Sequence, residues 1–241
     1  VEHIKFKDLK NTNELIEAYS KSSFQARKIG EAAKLYKKEL NRGTTIIWSL
    51  AGSIFSAGLR ELVIDSVRKN LVDCLVCTGA LFEQDMLEAL GYNHYVQTEE
   101  IEDKTLQNLL IDRIYDHLLD EIELQHVDET YKKIAKQMDS GNYSSREFME
   151  YCGKWLSNVK DANDSVILAA YEMNVPIFIP AINDCSIGIG LAMNQSEVKN
   201  GISIDSIKDL REIAKMKDLC GDSGIVTVSY THLRAHETSP H

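Results

Sequence analysis

The sequence lacks an apolar run near the roughly 20 residues that a membrane-spanning helix needs. Its longest, VPIFIPAI at 175 to 182, has the length of a buried strand. Basic residues are in the minority, 27 Lys and Arg against 37 Asp and Glu, for a net charge of −10. No Lys/Arg-rich stripe offsets that balance, which argues against a nucleic-acid footprint. An acidic surface suits instead a cationic small substrate or a basic protein partner. There is no secretion signal, and the opening on Val1 rather than Met leaves the natural start open. Cysteine is sparse and odd in number, five in 241 residues, which with no secretion signal indicates a reducing, cytoplasmic setting. Cys74 and Cys77 form a C-x-x-C without a second pair at ligand spacing, so ordinary buried cysteines are expected and no metal site. There are only three prolines, and Pro176 and Pro180 bracket one apolar segment, as at strand ends. No internal repeat and no low-complexity linker breaks the chain.

What is present is alternation. NTNELIEAYSKS and SFQARKIGEAAKLYKKEL carry apolar residues at three- and four-residue spacing, which predicts two helices in the first 40 residues. GTTIIWSLAG at 43 to 52 is a continuous β-branched run, the pattern of a parallel strand covered on both faces. A helix (FSAGLRELVIDSVRKNL), a second buried strand (VDCLVCTG) and a helix (FEQDMLEALG) stopped at Gly91 follow. From about Lys104 to Leu156 the chain reads as a charged, helical insertion, with SSRE at 144 to 147 as a capping box. Helix NDSVILAAYEMN, strand VPIFIPA, helix SIGIGLAM, strand GISID, helix SIKDLREIAKMKDL and strand SGIVTV complete the pattern. Strands alternating with helices predict an α/β fold, Rossmann-like, with a mostly parallel sheet flanked by helices. Residues 44 to 50, 72 to 78, 175 to 180 and 223 to 228 are its expected strands, in a single domain over 1 to 228.

Sheets of this kind bind ligands at the carboxyl ends of their strands. Three such ends, SLAGSIFSAG, CTGALFEQD and PAINDCSIGIG, are rich in small and polar residues that let a ligand reach the backbone. GIGLAM is only a partial G-x-G-x-x-G, with Met193 in the third glycine position, and by itself indicates close helix–strand packing. Glu83, Gln84 and Asp85 follow Thr78, Gly79 and Ala80 at once. In the first turn of a helix such residues also complement the helix dipole without any ligand.

Taken together, SLAGSIFSAGLRELV, LVDCLVCTGALFEQDMLEALG, VPIFIPAINDCSIGIGLA and ISIDSIKDLREI resemble the deoxyhypusine synthase family, including its prokaryotic members, over about residues 4 to 226. The resemblance implies a homotetramer of Rossmann-like subunits with NAD and spermidine at subunit interfaces. It further implies hydride transfer from spermidine to NAD, then passage of the aminobutyl group through an active-site lysine to a lysine of translation initiation factor 5A. By position, Gly52, Ser53 and Ser56 fall in the first NAD segment, Thr78, Gly79 and Ala80 in the second, and Asp184 matches an NAD-contacting aspartate. Glu83 matches a carboxylate that holds a polyamine ammonium, and Gln84 the following NAD-touching position; Asp85 is left to capping or helix support.

Two departures stand out. Ile189 lies where the eukaryotic members carry a second polyamine-binding acid. The family's catalytic lysine has no counterpart here: Lys132, Lys160 and Lys199 lie outside any matching motif, and the chain stops resembling the family before that region. Residues 229 to 241, with His232, His236 and His241, read as translated read-through, a non-native or disordered tail on a C-terminally truncated chain. Two alternatives keep the fold: homospermidine-type chemistry with a free diamine acceptor, and a non-catalytic NAD- or polyamine-binding module.

Overall fold

The computed structural model describes residues 2–5, 9–199 and 201–228, so the tail at 229 to 241 lies outside the described residues. The described residues form two compact units, one from the stretch up to 45 with 220–224, the other from 46–219 with 225–228. In the first, α1 (Thr12–Ser20) and α2 (Phe24–Arg42) pack closely at Gly30, where a Cβ would stand 2.5 Å from the Ser20 backbone nitrogen. Asn11 starts α1 by accepting a hydrogen bond from the Glu14 amide at 3.0 Å.

The second unit is built on a four-stranded sheet. Strand β1 (Thr45–Leu50) leads into a wide turn over Phe55–Leu59 and α3 (Arg60–Arg68). Strand β2 (Cys74–Cys77) leads directly into α4 (Gly79–Ala89). After β3 (Tyr95–Val96), the expected insertion contributes α5 (Asp103–Leu109), β4 (Ile111–Ile114), β5 (His117–Asp120), α6 (Glu121–Lys136), β6 (Gly141–Tyr143) and α7 (Ser145–Leu156). Helix α8 (Val166–Met173), β7 (Ile177–Phe178), α9 (Ser186–Glu197), β8 (Ile202–Ile204), α10 (Ser206–Leu219) and β9 (Ser223–Val228) complete the described elements. The sheet order is β7-β2-β1-β9, with β1–β2 and β2–β7 parallel. All four expected strands therefore join one sheet, and the apolar runs of β1 and β2 lie within the core. Cys74 and Cys77 are both buried. Among the described residues no helix is long and apolar enough to cross a membrane.

Three expectations need correction. The insertion is not wholly helical: β3, β5 and β4 form a small antiparallel sheet in that order. Its β4–β5 hairpin turns through Tyr115 in the left-handed region (φ 59°), without the glycine that usually marks such a turn. The GISID strand does not enter the main sheet; β8 pairs in parallel with β6. Helix α4 begins a turn earlier than the FEQDMLEALG pattern indicates, at Gly79, with Thr78 as N-cap. Its first turn thus holds no acid, so Glu83, Gln84 and Asp85 do not complement the dipole of their own helix. Other features follow the pattern: Gly91 has φ 93° just past α4, and Ser144 and Glu147 form both bonds of the capping box.

Candidate functional site

Helix α4 is buried on nearly every side, because it follows the central strand β2 and is covered by neighbouring helices. Three strand ends meet it. The loop after β1, with Gly52 (φ 83°) and Ser53, is tied to it by Ser56, whose amide donates to Gln84 Oε1 at 3.1 Å. Ser56 Oγ also donates to the Ser53 carbonyl at 2.9 Å, which closes the turn. The amide of Thr78 donates to the Leu50 carbonyl at 3.1 Å and so fixes the β2 end beside the β1 end. From the third strand end, Cys185 rests on Gly79: an added Cβ there would stand 2.2 Å from Cys185 Sγ. Only glycine tolerates that approach. The same segment is held by Glu83, whose Oε2 accepts a hydrogen bond from the Ser186 amide at 3.0 Å.

Of the residues expected in the site, the structure brings Gly52, Ser53, Ser56, Thr78, Gly79, Ala80, Glu83, Gln84 and Asp184 around the first half of α4. Asp184 is exposed in the turn before α9, where its amide donates to the Ala181 carbonyl at 3.1 Å. Two members have internal duties: Gly79 makes room for Cys185, and Gln84 spends its Oε1 on the Ser56 amide. Thr78 Oγ1 is buried without a partner among the described residues.

Each acid here has its own electrostatic setting. Burial pushes the Glu83 carboxyl above its ordinary pKa; the Ser186 amide pulls it back, and Asp128 and Asp184 push it further up. Asp85 is fully buried (0 % exposed) and caps α8, accepting from the Val166 and Ile167 amides at 2.9 and 3.0 Å. Arg60 Nε donates to Asp85 Oδ1 at 2.7 Å, and an Arg60 Nη donates to the Asp164 carbonyl. Burial raises the Asp85 carboxyl, opposed first by the Arg60 charge and then by the two amides. Burial also pushes the Cys185 thiol up to about 11, so it stays protonated near neutrality and is no thiolate nucleophile. Lys132 ion-pairs with Glu197 at 2.7 Å and Glu129 at 3.3 Å, and the Glu197 hydrogen bond raises its pKa, the wrong direction for an amine nucleophile. Arg60, Asp128 and Ser186 escaped the sequence reading because their roles depend on helix-to-helix contacts that local patterns do not encode.

A mostly parallel sheet whose strand ends gather at one helix N-terminus is a Rossmann-like arrangement. The chain belongs to the deoxyhypusine synthase family, whose sequence model, described as "Deoxyhypusine synthase", matches residues 14–236. It is similar to a deoxyhypusine synthase-like protein of Elusimicrobium minutum, 38% identical over 94% of this chain and 61% of that protein. A deoxyhypusine synthase-like protein of Chlorobaculum parvum is 41% identical over 90% of this chain and 63% of its own length. The chain thus spans a little under two thirds of these relatives. A solved structure assigned as a deoxyhypusine synthase of Entamoeba histolytica shares the fold, with TM-score 0.65 and 20% identity over 95% of this chain and 81% of that one.

Proposed function

We propose that this chain carries the NAD- and polyamine-binding part of an enzyme that transfers an aminobutyl group from spermidine to a lysine of translation initiation factor 5A. The observation that carries the reading, beside family membership, is the meeting of three strand ends at α4, with Glu83 on the inner side. Gly52, Ser53, Ser56, Thr78, Gly79, Ala80, Gln84 and Asp184 would hold NAD. The unpartnered Thr78 hydroxyl fits that assignment, since a buried polar atom at a helix N-cap without a bond of its own suits a polar ligand. When bound, NAD supplies the hydride acceptor. The chain's own contribution is to orient: Gln84 fixes the β1 loop, Glu83 offers a carboxylate to an ammonium, and the close Gly79–Cys185 contact keeps the third loop against the cleft. No lysine is assigned the nucleophile's role. The proposed working form is a homotetramer.

The test uses the complete gene product with NAD and labelled spermidine, offered factor 5A and a free diamine as separate acceptors. Label on the factor 5A lysine supports the proposal. Label on the diamine alone means homospermidine-type chemistry, and NAD binding without transfer to either means a non-catalytic module.

A further inference from the structure

Helices α7 and α8 touch at Gly153, where an added Cβ would stand 2.3 Å from Tyr171 Cβ. Roughly one turn earlier on α7, at Met149 and Glu150, a cavity of about 190 Å³ opens between the two helices and the start of β7. It lies at the amino end of β7, whereas the site around α4 gathers at the carboxyl ends of the strands. Its apolar walls are Met149, Ile167, Ala170 and Pro176. The charges at its rim are already matched. Arg146 Nε donates to Glu212 Oε2 at 2.6 Å, and Arg146 Nη1 donates to Glu150 Oε2 at 2.9 Å. Glu147, 3.7 Å from the same guanidinium, is also held by Lys208. Two side chains of the lining are unspent: no described residue bonds to the Tyr171 hydroxyl or to the Asn174 side-chain carboxamide.

A cavity this small takes one ring with a short substituent, since pockets for drug-sized molecules run to roughly 300–1,000 Å³. A charged ligand finds no free counter-charge in it. An ammonium would meet Arg146, and a carboxylate would meet Glu150 and Glu212, each already engaged by its partner. Leaving water under those conditions is costly for either ion. We infer that the cavity is a binding site for an uncharged aromatic carboxamide or lactam. Such a ligand presents a donor edge and an acceptor edge, the complement of the Asn174 carboxamide, and a partner for the Tyr171 hydroxyl. Its ring would lie against Met149, whose thioether sulfur makes favourable contacts with aromatic edges. The inference stands apart from the NAD and polyamine readings above.

The test follows the methyl resonances of Met149 and Ala170 in the 241-residue chain during titration with benzamide, benzylamine and benzoate. The three probes share a ring and differ in charge. Benzamide should move both methyls saturably, and the charged probes should bind about tenfold or more weaker, because each must shed water without a counter-charge. Tyr171→Phe should weaken benzamide about two- to tenfold, the scale of one hydrogen bond. Ala170→Leu fills the cavity and should abolish binding. An excess of NAD should leave benzamide in place; displacement by NAD would assign the effect to the cofactor site and overturn the inference. Methyls that stay still up to the solubility limit of benzamide, or equal affinity for all three probes, overturn it too. If Ala170→Leu melts below the parent through overpacking, Tyr171→Phe carries the test, and an unchanged benzamide affinity there overturns the inference.

Discussion

Glu83, Gln84 and Asp85 are consecutive, yet each serves a different part of the molecule. Glu83 caps α9, Gln84 holds the β1 loop, and Asp85 caps α8 while pairing with Arg60. On a helix, neighbouring residues point about 100° apart, so a helix buried on nearly every side distributes three consecutive polar groups to three partners. The Arg60–Asp85 pair is the most exacting, at 5 % and 0 % exposure. Removing one partner of a buried pair leaves an uncompensated charge, so Arg60→Met is expected to cost about 3–5 kcal/mol. Urea denaturation measures it; a loss under about 1 kcal/mol would mean that the two α8 amides alone satisfy Asp85. The cluster of polar residues after Thr78 was legible in the sequence, since small residues at a strand end followed by carboxylates form a local pattern. Which helix each acid serves was not, because Ser186 and Val166 lie 103 and 81 residues away.

At the scale of elements, the strands and helices around the sheet were legible because their apolar runs are long and their caps ordinary. The β4–β5 hairpin was not. Its strands, IDRI and HLLD, mix charge with aliphatic residues, and its turn uses Tyr115 and Asp116 in place of glycine. That hairpin also sets up a titration. Asp112 on β4 shares a hydrogen bond with Glu121 at the start of α6, which raises Asp112 to about 6 and lowers Glu121. An acid whose folded pKa is raised binds its proton more tightly in the native state, so its contribution to stability falls as pH rises from about 4 to about 6 and is level above. Asp112→Asn supplies a permanent donor to Glu121. The variant should therefore melt with the parent near pH 4 and above it by about 1–3 °C at pH 7.5, a small gain because solvent reaches both side chains. A gain that is the same at both pH values would show that the carboxyl pair is not the cause. Ser144, at the start of α7, tests a helix cap: Ser144→Ala breaks the capping box and removes the bond to Glu212 at 3.0 Å, and should cost about 0.5–2 kcal/mol by urea denaturation.

For the whole molecule, the separation of binding from covalent chemistry is the property that matters. In the proposed reading Glu83 offers a carboxylate to a cation and the Thr78 hydroxyl is open to a ligand, and no described lysine is placed to attack. An amine nucleophile must be unprotonated and in contact with the reacting carbon. Lys132 faces the wrong way on both counts, since its ion pair with Glu197 keeps it charged and occupied. Positioning alone is worth roughly 7–11 kcal/mol in favourable cases, a contribution that a lysine elsewhere on the surface cannot supply. Incubated with NAD and labelled spermidine and then treated with borohydride, the 241-residue chain should retain no covalent label. The same chain should still show spermidine binding that weakens with added salt, as expected when opposite charges attract in water. Label fixed to the chain would identify a nucleophile among its own lysines, and peptide mapping would then show whether Lys132 leaves Glu197 when the amine arrives.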